Sequence, residues 1–347
     1  MKVDIELSEP LLVTVTNKKN KRKKSPLGHF GFFICMNLCM VLAFFTSNIG
    51  GSKGIVNGSL VIWYFALPLI YLEAGLRCNC KALLAVLRDG FFLIFLLIFV
   101  YVLVPSLAKI GTHILDNAGV NRRLLMGIEV LHCLPPPLST SLVLSRISNG
   151  DIAASLVATL VCHFGGIILS PLLLHTMLGT SLPPLNELNL REITYSALVP
   201  LAIGLGLRSL YIEKREKVLT SDLRKARVNW IPQALFILIA YNLFCDAFTI
   251  DAASMYAVDI LLCVLIAFVG QTIIMCICWL FCCVWLSREV THASVFACTF
   301  KSIGFGNWLI RAAFRNTVEV SAFNLPLGIL TVAQLLLGSL VASWLAA

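Results

Sequence analysis

The sequence predicts an all-α membrane protein: ten transmembrane helices in two five-helix inverted repeats, with broken crossing helices 4 and 9. Three observations predict it. The 347 residues are 59% hydrophobic and 13% charged, with a mean hydropathy of +0.89, whereas a soluble domain is nearer half apolar and a quarter charged. Apolar runs long enough to span about 30 Å of hydrocarbon recur along the whole chain. Two of these runs are interrupted, at matching positions of the two halves, by residues that a lipid-facing helix would not carry.

The elements follow in order. Residues 1–26 are hydrophilic and hold the cluster KKNKRKK, Lys18 to Lys24. An apolar run follows at once, so the cluster reads as a cytosolic tail obeying the positive-inside rule rather than a nucleic-acid patch. That run is too long for a secretory signal, and no small-residue cleavage site stands out. Ten apolar segments lie near 28–48, 56–76, 83–106, 123–147, 152–178, 192–212, 229–248, 255–286, 290–313 and 322–346. All are expected to be helices, because lipid leaves an open chain no other way to satisfy its backbone. With the N-terminus inside, 19 of the 27 Lys and Arg fall on the cytosolic side and 7 outside, leaving Lys301 within the membrane. That asymmetry places both termini in the cytosol. Residues 27–182 form the first repeat and 183–347 the second. Five segments in each half give the halves opposite orientation.

The first break is HCLPPPLSTS, His132 to Ser141, in segment 4. Three consecutive prolines end a helix and remove backbone donors. They are expected to free the carbonyls of about Glu129 to Cys133 and to start a new half-helix near Leu138. Ser139, Thr140 and Ser141 add hydroxyls to its first turn. The second break is TFKSIGFGN, Thr299 to Asn307, in segment 9. Non-helical backbone at membrane depth is tolerated only inside protein or along a wet cavity. Paired interruptions at repeat-related positions are the best pointer in a sequence to a transport site. The expected substrate-binding residues are therefore Pro136, Pro137, Ser139, Thr140, Ser141, Thr299, Lys301 and Ser302.

Other polar residues carry weaker signals. Glu129 and His132 form an ExxH pair, but the second pair of a di-metal bundle site is missing, and two such residues bonding each other is the plainer reading. Cys276, Cys278, Cys282 and Cys283 lack the histidine or second pair of a zinc site and read as small apolar filler. No metal and no cofactor is expected. Glu73 is expected to pair with Arg77 one turn on. His163 and Gln271 either line the cavity or simply pack. No catalytic constellation stands out, so the chain is not read as an enzyme.

HCLPPPLSTSLVLSRISNGDIAASLVATL, the later ACTFKSIGFG, AQLLLGS (Ala333 to Ser339) and FALPLIYLEAGL (Phe65 to Leu76) together resemble the bile acid/sodium symporter family. Within that family the chain resembles the sodium/bile acid cotransporter 7-like branch. The resemblance runs from about Leu27 to the C-terminus. It implies a core of segments 3, 4, 5, 8, 9 and 10 and a panel of 1, 2, 6 and 7. It also implies organic-anion substrates moved with sodium. The family's sodium-binding Ser corresponds to about Ser141. Its Asn falls on Leu142, its Gln on Lys301 and its Glu on Ala297 or a neighbour, so the sodium ligands are largely absent.

A lysine at membrane depth costs roughly 2.5–3.5 kcal/mol on insertion scales and must face partners. One reading sets the Lys301 ammonium on the carbonyl end of the first half of segment 9, as a built-in cation replacing sodium. The other pairs it structurally with Glu129 or Asp259. The expected function is a secondary-active or facilitative transporter of a small organic anion, by alternating access at the segment 4/9 crossing. Proton coupling stays open, and sodium coupling is disfavoured. The alternative is a non-transporting membrane regulator of cellular calcium homeostasis. The other expected partner is the lipid bilayer, at the plasma membrane or in the secretory pathway, and no nucleic acid is expected.

Overall fold

A computed structural model of the chain describes residues 26–51, 54–178, 194–215, 230–249, 257–302, 305–306, 309–310 and 320–346. Most of the basic tail, residues 216–229, and Ile303, Gly304 and Asn307 of the second break lie outside the described residues. Within them the chain forms twelve helices and no strand. Seven helices are long and apolar enough to cross a membrane.

Helix α1 is Pro26–Gly50 and α2 is Gly58–Arg77, with a π-turn at Ile62–Ala66. A short helix α3, Cys80–Arg88, precedes the long α4, Gly90–Asn117. Segment 3 was expected over 83–106, and here the structure differs. Asp89 leaves helical geometry at ψ 85°, and its carboxylate accepts from the N–H of Phe92 at 3.1 Å. An aspartate at an N-cap satisfies an orphan donor of the following helix, so the span starts at Gly90 and the preceding residues fold separately. Segment 4 divides into α5, Arg122–His132, and α6, Thr140–Ile147, as its prolines require. Helix α7 is Ile152–Leu178.

The second half begins with α8, a π-turn at Thr194–Leu198 continuing as Val199–Arg215. Helix α9 is Trp230–Phe248 and α10 is Ala257–Trp285. Segment 9 opens as α11, Arg288–Thr299, and Phe300 then leaves the helix at φ −87°, ψ 150°. Helix α12 is Val320–Ala346.

Helices α1 and α9 pack together, as do α2 and α8. In the second pair the backbones nearly touch. A Cβ on Gly75 would lie 2.5 Å from the Leu201 carbonyl, and one on Gly204 2.3 Å from the Leu72 carbonyl. Close approach through small residues replaces the missing hydrophobic drive between helices in lipid. Helices α4, α5, α6, α7, α10, α11 and α12 form a second group around the two breaks. The half-helices α5, α6 and α11 are almost wholly buried, while α1 and α10 turn many large apolar side chains outward.

Candidate functional site

The proline break exposes a run of carbonyls, and donors from three other elements take them. The Lys301 ammonium donates to Leu134 O at 2.9 Å. The Ser302 N–H donates to Pro135 O at 2.8 Å. His163 Nδ1, on α7, bonds Pro136 O at 2.9 Å, and the Tyr71 hydroxyl, on α2, donates to Leu138 O at 2.9 Å. This is why the chain can break here: a buried backbone polar group must find a partner, and each of these does so inside the protein. The carbonyls of Glu129 and Val130 are instead capped by the Cys133 N–H, at 3.3 and 3.1 Å. The freed group thus sits one turn later than expected, because a three-centre bond closes the end of α5 before the prolines begin.

Lys301 is 3% exposed. Its ammonium reaches across to the first break rather than to the end of α11, where one of the two readings set it. The second carbonyl it meets is Val100 O, at 3.4 Å. That carbonyl is orphaned by a separate device. Helix α4 opens into a π-turn at Phe99–Leu103, where the Val104 N–H reaches back to Phe99 O. The next donor would serve Val100 O, but position 105 is Pro and has no N–H. π-turns recur at functional sites, and this one presents a carbonyl to the lysine.

The second break is held by amides. Gln334 Oε1, on α12, accepts the Lys301 backbone N–H at 3.2 Å. Gln271 Nε2, on α10, points to the Thr299 carbonyl and hydroxyl at 3.4 and 3.5 Å. The two amides meet at 3.5 Å. Packing is tight where α7 meets the first break. A Cβ on Gly166 would lie 2.6 Å from both the Pro135 ring and the Tyr101 hydroxyl.

The structure places the eight expected residues within or beside the two breaks, in unequal positions. Lys301 and Ser302 make the cross-break bonds above, while the Pro136 carbonyl is bonded from α7 by His163. The Thr299 hydroxyl donates to Val295 O at 2.7 Å. The Ser141 hydroxyl donates to Phe296 O on α11 at 2.9 Å, tying α6 to the other broken helix. Ser139 is buried at the N-cap of α6 without a side-chain capping bond, Thr140 opens that helix, and Pro137 is half-buried.

Neither acidic residue weighed for Lys301 pairs with it. Glu129 takes Lys109 at 2.8 Å and the Thr112 hydroxyl at 2.6 Å, and Asp259 accepts from Asn121 at 3.2 Å. Glu129 and His132 do not bond each other either, since His132 Nδ1 bonds Ile128 O at 2.7 Å. Glu73 pairs with Arg77 as expected, but it also forms a two-pronged pair with Arg146 of α6. Sequence reasoning missed Tyr71, Val100, Arg146 and Gln334. Of these, Gln334 lies in the quoted AQLLLGS motif, and Pro105 inside an apolar run was the signal for Val100.

A family model for SBF-like CPA transporters matches residues 31–347, nearly the whole chain. The chain belongs to the SBF-like CPA transporter family. The sodium/bile acid cotransporter 7 of Xenopus tropicalis is 27% identical over 324 residues, covering 90% of this chain and 92% of that protein. Its counterpart in Rattus norvegicus is 25% identical, over 86% of this chain and 88% of that one. The solute carrier RCH1 of Candida albicans is 22% identical over 62% of this chain and 56% of its own length. The resemblance seen in the residues therefore holds, and this SBF-like transporter is a multi-pass membrane protein.

Proposed function

We propose that the protein is a secondary-active or facilitative carrier that moves an organic anion by alternating access at the crossing of its two broken helices, without sodium coupling. The observation that carries this reading is the Lys301 ammonium on Leu134 O and Val100 O. A fixed cation already serves carbonyls of the kind that would otherwise attract a sodium ion. Of the four positions the family resemblance makes sodium ligands, two are aliphatic here, Leu142 and Ala297, both buried, and a third is Lys301 itself. Lys301 has no carboxylate partner among the described residues, so an anionic solute would balance its charge. Transport is then uncoupled or proton-coupled.

The ten-segment inverted repeat, 27–182 against 183–347, is part of the proposal. Its support is the packing pattern. The contact of α1 with α9 has its counterpart in α8 with α2. Likewise α4 with α5 matches α10 with α11, and α5 with α12 matches α11 with α7. Each pair maps onto the other when the halves are exchanged. In this reading α1, α2, α8 and α9 form a panel against which the crossing moves, and both termini face the cytosol.

The test is counterflow of a radiolabelled bile salt and of a sulfated steroid in proteoliposomes. Lys301→Ala and Pro136→Ala are expected to abolish counterflow while the protein still elutes as a folded species. Full counterflow in Lys301→Ala would show that the site lies elsewhere.

A further inference from the structure

A cavity of about 230 Å³ lies between α4, α5, α10 and α12, on the Arg122 side of the first break. Its walls are apolar, built from Leu107, Leu115, Leu131, Ile266, Ile274 and Leu330. Two glycines keep it open. A Cβ on Gly111 or on Gly270 would meet nothing within 4 Å, unlike the glycines that let α2 and α8 touch. Glycine is unfavourable in a helix interior relative to alanine, yet here no close contact requires it.

Three polar side chains line the cavity, Thr112, His132 and Gln271. The Thr112 hydroxyl is spent on Glu129 and the Gln271 amide on Thr299 and Gln334. His132 differs. Its Nδ1 lies 2.7 Å from Ile128 O. A carbonyl only accepts, so Nδ1 carries the proton, and Nε2 of the neutral ring is a bare acceptor. It has no hydrogen-bond partner among the described residues. An apolar sleeve with one unused acceptor suits an apolar molecule bearing a single O–H donor. An anion would meet the lone pair and be repelled.

The route in is also legible. Ile273 lines the cavity yet is 52% exposed, so the cavity reaches the outer face of α10. Ile110, Ile114 and Val269 flank it, also exposed, on two helices long enough to span the bilayer. Its surroundings are therefore lipid, not water.

We infer that this cavity is a lateral binding site for a neutral amphipathic alcohol, entering hydroxyl first from the bilayer and donating to His132 Nε2. The inference rests on the membrane setting and not on the transport reading, and its test needs no transport.

The experiment uses the full chain in phosphatidylcholine nanodiscs. Melting temperature is followed against increasing cholesterol, increasing 1-dodecanol, and the methyl ether of each. Saturable stabilisation by cholesterol or by dodecanol, absent with the matching ether, supports the site and says whether a rigid or a flexible body fits. Gly270→Leu fills open space, so it should fold with an unchanged or higher melting temperature and lose the response. His132→Phe should weaken binding about ten-fold, as expected for one lost hydrogen bond. A diazirine analogue of the alcohol that binds should label α4 or α10 beside Gly111 and Gly270. The inference is overturned if neither alcohol acts saturably, if the ethers act as well as the alcohols, if Gly270→Leu keeps the response, or if a sulfated sterol stabilises equally.

Discussion

Replacing Tyr71 by Phe removes one oxygen from a fully buried side chain. That oxygen is the donor to Leu138 O, at the point where the chain turns from the proline run into α6. The ring remains, so no cavity of consequence forms and the packing term is small. What is lost is the partner of a carbonyl whose residue is 6% exposed. Leaving a buried acceptor unsatisfied costs about 1–3 kcal/mol. At about 2–4 °C per kcal/mol for a domain of a few hundred residues, the expected fall in melting temperature is centred near 6 °C. The assay is thermal unfolding of the purified protein followed by size-exclusion chromatography. Tyr64→Phe is the control, since Tyr64 lies on the same helix and is 69% exposed. A fall below about 1 °C for Tyr71→Phe, or an equal fall for Tyr64→Phe, would refute the idea that donors from neighbouring helices hold the break.

Three further outcomes are expected. Glu73→Gln should destabilise by about 2–4 kcal/mol, lower than the roughly 3–5 kcal/mol of a fully buried pair because these side chains keep some exposure, since it removes the charge shared by Arg77 and Arg146. A double-mutant cycle with Arg146→Gln should show strong coupling, and simple additivity would contradict the pairing. Gly166→Val should cost about 1–3 kcal/mol by overpacking against Pro135 and Tyr101, read as a lowered melting temperature. Gly165→Ala, one residue away with its nearest contact at 3.4 Å, should be neutral or gain up to about 1 kcal/mol from helix propensity.

The breaks and most helix limits were legible because lipid enforces them. Long apolar runs must be helical, and three prolines must interrupt one. The start of α4 was not legible, because it depends on one aspartate capping a helix inside an otherwise continuous apolar stretch. The polar residues within the two breaks stood out, since polar side chains at membrane depth have few other uses, whereas Tyr71, Val100 and Gln334, which bond the breaks from neighbouring helices, did not. The individual bonds of the break residues were not legible. Whether Lys301 turns toward its own break or the opposite one depends on which carbonyls lack donors. That was decided by a π-turn and Pro105 on a helix some 200 positions earlier in the chain. The pairing of Glu73 with Arg146 is likewise a contact between distant elements, invisible to any local spacing rule.

The central claim is that Lys301 stands in for a coupling cation, and sodium-dependent stability tests it most directly. Melting temperature is measured against sodium, with potassium at matched ionic strength, for the native protein and for Lys301→Gln. A ligand at a hundred times its dissociation constant stabilises by about 2.7 kcal/mol, several degrees and easily resolved. The account predicts no sodium-specific shift in the native protein and the appearance of one in Lys301→Gln. Saturable, sodium-selective stabilisation of the native protein would contradict it.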